Sequence, residues 1–252
     1  MSTVMIIVAL LMYVFMMVMN TIANTLPING ITTGDVSFKY PNLFQPTGLT
    51  FSIWGLIYVL LFAYVVYQLT FIGKPLSDEL KQLFFRVNLL FAVSSLLNAL
   101  WLLSWHYDRI VLSTVIMVLL WLTLLGISLM TPTLGILTKT AFSVYFGWIT
   151  IASIANVTIM LVKLGVPSST SRSILLTALI LVIGLILSIL WIVIKKDLAF
   201  GFVILWAFTG ILIRHMSNSG LNRMYPMIYI TSIISILILV SVIGWMIIQI
   251  RA

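Results

Sequence analysis

Eight apolar runs, each about as long as a bilayer-spanning helix, take up nearly all of this 252-residue sequence. An α-helix rises about 1.5 Å per residue, so crossing a hydrocarbon core of ~30 Å takes ~20 apolar residues. The runs fall at 3–23, 49–72, 84–105, 110–130, 140–163, 173–194, 198–214 and 226–249. Breaks separate them at Gly73-Lys74-Pro75, His106-Tyr107-Asp108-Arg109, Thr131-Pro132-Thr133, Gly165-Val166-Pro167-Ser168-Ser169 and Lys195-Lys196-Asp197. The composition closes the argument. Charged residues make up 7% of the chain, against about 25% in a soluble domain, so a water-facing surface cannot be built and the solvent is mostly lipid. The expected fold is an all-α integral membrane protein of about eight transmembrane helices. No stretch is left over for a separate soluble domain.

Several function classes fall away with the same residues. There is no cysteine, hence no disulfide framework and no thiolate site. The net charge of +8 is spread over Lys and Arg in ones and twos at the ends of runs, where cations anchor against anionic headgroups. That pattern points to the lipid bilayer as partner and not to nucleic acid. The first run has no Lys or Arg before it and extends past Met19, too long for the core of a cleaved leader, so it is expected to stay as the first helix. Positive-inside counting leaves orientation open: with the N-terminus inside, Lys and Arg divide seven inside to six outside.

The longest connection, 24–48, holds Pro27, Gly30, Gly34, Pro41, Pro46 and Gly48, and is expected to form no regular helix. It also carries Phe38, Tyr40, Leu43 and Phe44, which fit either a loop folded over the bundle or an interfacial belt. The seventh run is the shortest and reads as a span or as a tilted, re-entrant segment. The last three runs are richer in Ile and Leu and poorer in polar residues than the first five. The expected division is therefore a five-helix part, 1–163, and a three-helix extension, 164–252.

Ionic chemistry is sparse. The five acids, Asp35, Asp78, Glu79, Asp108 and Asp197, all sit in connections or at run ends. An ion-coupled transporter places an ionisable group at membrane depth, and no run offers one. His106 and His215 each lie near a run end; no His/Cys/Asp/Glu cluster has metal-ligand spacing, and no serine sits in a nucleophile-elbow pattern. Enzymatic activity is not expected. His106 alone could serve as an axial haem ligand, but it is a single residue and not a motif.

The informative residues are neutral. In the second run Trp54 and Tyr58 are four apart and share one face. In the third, Asn98, Trp101 and Trp105 form a stripe at spacings of three and four, and in the fifth Tyr145, Trp148, Ala152 and Asn156 repeat it. An Asn in hydrocarbon must find a hydrogen-bond partner, so these faces turn to protein or to a cavity. Two readings stay open from spacing alone: glue between helices, or the lining of a ligand pocket for which Ala152 leaves room.

At these residues the chain resembles the TspO/MBR family of tryptophan-rich sensory proteins. The family's marks are a proline-containing segment before a Trp with Tyr four residues on, a Leu-Asn-x-x-Trp segment followed by an aromatic pair, and a Tyr-Trp-Ala-Asn series. Here they read Pro46 to Trp54 then Tyr58; Leu97-Asn98-Ala99-Leu100-Trp101 then Trp105-His106; and Tyr145, Trp148, Ala152, Asn156. The resemblance covers about 1–163 and marks the chain as a longer branch with extra C-terminal helices. It implies a five-helix bundle with a pocket between the second, third and fifth helices, lined by Trp54, Tyr58, Asn98, Trp101, Trp105, Tyr145, Trp148, Ala152 and Asn156. The first loop would cap it through Phe44 and Pro46. The ligand implied is flat and apolar, such as a porphyrin or haem, and the setting implied is the bacterial cytoplasmic membrane. Two readings of other classes stand beside it: a small-solute transporter or permease, and a structural subunit that pairs with a second copy or with another membrane protein.

Overall fold

The structure, a computed structural model, describes residues 3–26, 28–167 and 170–251. Pro27, Ser168 and Ser169, three of the expected breakers, lie outside the described residues. Nine α-helices are present among those described: α1 (Thr3–Thr25), α2 (Thr33–Lys39), α3 (Ile53–Leu69), α4 (Asp78–His106), α5 (Ile110–Met130), α6 (Ile136–Lys163), α7 (Ser171–Lys195), α8 (Leu198–Met216) and α9 (Pro226–Arg251). All except α2 are long and apolar enough to cross a membrane; the second such span opens with a 3-10 turn over Gly48–Ser52 before α3. The expected all-α membrane fold is what the chain adopts. A helix is the natural solution here because it satisfies every backbone N–H and C=O within its own segment.

The differences lie at the edges. α4 starts at Asp78 rather than 84, because the Ser77 hydroxyl caps it by accepting the Leu80 N–H, and Asp78 and Glu79 occupy the dipole-favoured first turn. α7 is capped in the same way by Thr170. The seventh run is a continuous 19-residue helix, long enough to span. The 24–48 connection does contain a regular helix, α2. Its start is a reciprocal cap: the Asp35 N–H donates to the Thr32 hydroxyl, and Asp35 Oδ2 accepts from the Thr32 N–H and Oγ1.

The chain groups into two compact units, residues 1–36 with 53–156, and 37–52 with 157–252. The expected boundary at 163 therefore shifts into the last turns of α6, and the first loop is divided between the units.

In the first unit α4 is the hub: α1 and α5 pack on it, and α1 also meets α3. α6 joins through its aromatic side chains, with Phe142 against Tyr64 of α3 and Phe91 of α4. α1 buries Ile6, Ala9, Tyr13, Met16, Asn20 and Ala23, a stripe of alternating three- and four-residue steps, and leaves the rest of its surface apolar and exposed. Between the end of α3 and the first half of α4 the fully buried Tyr64, Asn88 and Gln68 form a hydrogen-bonded row: Tyr64 donates to Asn88 at 2.7 Å, and Asn88 to Gln68 at 2.6 Å.

In the second unit α7, α8 and α9 pack on one another. The segment 37–52 belongs here because α8 holds it. Thr47 N–H donates to the Gly210 carbonyl at 3.2 Å. Trp206 Nε1 donates to the Thr50 carbonyl at 2.9 Å, an Arg214 Nη to the Gln45 carbonyl at 3.3 Å, and His215 Nε2 to the Leu43 carbonyl at 2.9 Å. A Cβ on Gly210 would lie 2.0 Å from Thr50 Oγ1, so only glycine lets α8 approach this closely. Irregular backbone buried in a membrane protein needs such partners, and the helix supplies them.

Candidate functional site

The first unit brings most of the expected site residues together. α3 contributes Trp54 and Tyr58, α4 contributes Asn98, Trp101 and Trp105, and α6 contributes Tyr145, Trp148, Ala152 and Asn156. Trp54 is the centre. Its ring lies 5.7 Å from Tyr58 and 6.4 Å from Trp101, both nearly parallel, and meets Tyr145 at 6.1 Å and Trp148 at 6.4 Å edge-on. Such offset-stacked and edge-to-face pairs are favoured by the ring quadrupole. Trp101 continues the stack to Trp105 at 5.7 Å.

Burial grades across the cluster. Trp101, Trp105, Tyr145 and Trp148 are buried, whereas Trp54, Tyr58 and Ala152 are half-buried. The accessible side of the cluster is thus where Trp54 and Tyr58 of α3 and Ala152 of α6 lie. Trp54 and Trp101 lie too close to admit a flat molecule between them, which would need two spacings of about 3.5 Å each. A ligand must displace the Trp54 ring or lie against its open face.

Both carboxamides are engaged by protein. Asn98 Oδ1 accepts from Asn20 Nδ2 at 2.7 Å, and its Nδ2 donates to the Tyr145 hydroxyl at 3.3 Å. Asn156 Oδ1 accepts from Ser113 Oγ at 2.9 Å and Trp101 Nε1 at 3.4 Å, while its Nδ2 donates to the Ala152 carbonyl. They tie α1, α4, α5 and α6 and hold the Trp101 and Tyr145 rings in place. A ligand's polar edge would have to exchange for one of these bonds. Asn20, Ser113 and Tyr13, whose hydroxyl donates to the Tyr58 carbonyl, complete the network and do not belong to the Trp-rich series. Asn20 alone had a sequence signal, as a carboxamide on the buried stripe of the first span.

Trp105 and His106 have another task. Trp105 Nε1 donates to the Thr33 carbonyl, the His106 carbonyl accepts from Asn29 Nδ2, and His106 Nε2 meets the Thr33 hydroxyl at 3.4 Å. They fasten the first half of the long connection to the end of α4. His106 Nδ1 contacts the Leu102 carbonyl at 2.8 Å and the side chain is buried, so the ring has no nitrogen open to a haem iron. The histidine does not fit axial ligation. Phe44 and Pro46, the expected cap, are buried in the second unit with the segment that α8 holds.

A family model described as TSPO-like protein matches residues 6–245. The match runs through α7 and α8 and into α9, beyond the 1–163 over which the sequence motifs are legible. No curated protein and no solved structure matches the chain.

Proposed function

The chain belongs to the TSPO-like family, and from that premise we propose that its first unit binds a flat apolar ligand of porphyrin type on the aromatic face shared by α3, α4 and α6. Membership supports a membrane binding or sensory protein in general; the ligand class and the site are the further step. The observation that carries it is the position of Trp54, a half-buried indole in ring contact with four other aromatic residues from three helices. Pure packing does not call for an indole left half-open at the edge of a buried stack. A binding face does, because the open ring offers a flat ligand a partner of matching shape and quadrupole.

The test is a titration of the purified, detergent-solubilised protein with protoporphyrin IX, followed by quenching of tryptophan fluorescence. Saturable quenching is expected, with affinity falling about tenfold in Trp54→Ala, the loss of one good stacking contact. Trp54 is half-buried, so this variant is expected to keep the bundle folded, as circular dichroism would check. Asn156→Leu is expected to weaken binding through the Trp101 ring that Asn156 positions. Two well-folded variants that bind as tightly as the parent would refute the assignment.

A further inference from the structure

Arg214 stands in the last turn of α8, half-buried, with no carboxylate partner among the described residues. One Nη donates to the Gln45 carbonyl at 3.3 Å, and the guanidinium carbon lies 6.0 Å from the centre of the Phe38 ring. A guanidinium carries five donors, and these contacts use few of them. The second unit contains a single acid, Asp197, and that carboxylate is committed at the opposite end of α8, where it accepts the Phe200 N–H and the Trp191 indole N–H. Asp197 therefore cannot neutralise Arg214.

The charge asymmetry extends to the whole end of the unit. α7 and α8 pack together across a two-residue connection and so run in opposite directions, which places the start of α7 and the end of α8 on one side. Lys39, Lys163, Arg172, Arg214 and Arg223 all belong to segments at that side; the one acid on those segments is Asp35, at the start of α2, which accepts from the Thr32 N–H and hydroxyl. An end of this kind selects anions.

Beside Arg214 lies a cavity of about 350 Å³ lined by Phe38, Thr47, Arg214, Ser217, Ser219 and Gly220, with adjoining backbone. That volume equals roughly ten water molecules, room for a phosphate and its first carbon atoms. The wall is built rather than incidental. Leu221 N–H donates to the Arg214 carbonyl at 2.9 Å and Arg223 N–H to the His215 carbonyl at 2.8 Å, folding the α8–α9 connection back over the helix end. A Cβ at Gly220 would sit 2.2 Å from the Arg214 carbonyl oxygen, so the fold-back requires glycine. The Ser217 and Ser219 hydroxyls are joined at 2.8 Å, and Ser219 N–H donates to Ser217 Oγ, which fixes two hydroxyls on the same wall as the guanidinium.

We propose that this cavity binds a phosphate-bearing anion, held by the Arg214 guanidinium and by the Ser217 and Ser219 hydroxyls. A planar fork of N–H donors with hydroxyls beside it matches tetrahedral phosphate oxygens better than a lone ammonium would. Two sources share this chemistry, the headgroup of an anionic phospholipid and a free organic phosphate.

The experiment uses the full-length protein in detergent. Native mass spectrometry counts retained phosphatidylglycerol, with phosphatidylcholine as the control and glycerol 3-phosphate as the soluble competitor. One saturable phosphatidylglycerol is expected, weakened about tenfold or more by Arg214→Gln and less by Ser219→Ala. Arg214→Lys, which keeps the charge and loses the fork, is expected to fall between parent and Arg214→Gln. Where Arg214→Gln fails to fold, Arg214→Lys and the exposed Ser219→Ala carry the test. Competition by glycerol 3-phosphate assigns the site to free phosphates, and its failure to compete assigns it to the lipid headgroup. Phosphatidylglycerol held no better than phosphatidylcholine, with no binding of glycerol 3-phosphate, would overturn the proposal, as would binding unchanged in every folded variant.

Discussion

The two units use buried polar groups for different ends. In the first, a set of polar side chains bond to one another across helices: Asn20 to Asn98, Asn98 to Tyr145, and Ser113 and Trp101 to Asn156. The product is a set of rings held at fixed angles around Trp54. In the second, α8 sends Trp206, Arg214 and His215 to main-chain carbonyls of the 37–52 segment. The product is an irregular stretch of backbone made tolerable in an apolar setting. The contrast gives the C-terminal helices a role: they supply the donors that let Leu43 to Thr50 run without regular structure, which agrees with a family match that continues to 245.

The comparison can be broken most forcefully at Gly210. Gly210→Val puts a side chain where Thr50 already stands, and is expected to cost about 3 kcal/mol or more, with cleavage inside 37–52 by limited proteolysis accelerated while protoporphyrin binding persists. Loss of both properties together would mean that the two units are not separable in the way described. A middle-sized effect is expected at Asn98. Asn98→Leu leaves the buried Asn20 amide and loosens Tyr145, at ~1–3 kcal/mol by thermal unfolding in detergent, and adding Asn20→Leu is expected to recover part of it because both partners are then apolar. A double variant no better than the single would show that the pair does not act through this bond. The smallest effect sharpens the second unit: Trp206→Phe keeps the ring and removes one donor to the Thr50 carbonyl, at ~1 kcal/mol, with faster amide exchange confined to 47–52.

Much of this is legible in the sequence. Span number and order follow from apolar length, and the Trp54, Trp101 and Trp148 faces follow from helical spacing. The helix in the long connection was missed, although Thr32 and Asp35 stand at the reciprocal-cap spacing; the glycines and prolines around it masked that signal. The hold of α8 on 37–52 left no periodic trace, since three of its acceptors are main-chain carbonyls that no residue letter records. For the same reason the grouping of Phe44 and Pro46 with α8 cannot be read from the sequence. Asn98 and Asn156 were expected to face a ligand, yet their partners Asn20 and Ser113 lie on other spans, and pairing across spans cannot be read from one chain's spacing.

A ligand face built around Trp54 can be tested directly. Illuminating the protein with protoporphyrin IX bound oxidises the side chains that touch the macrocycle, and mass spectrometry of the peptides locates them. Oxidation concentrated at Trp54, with Trp101 or Trp148 following and Trp191, Trp206 and Trp245 spared, is the predicted result. Oxidation centred on Trp191, Trp206 or Trp245 with Trp54 intact would contradict it.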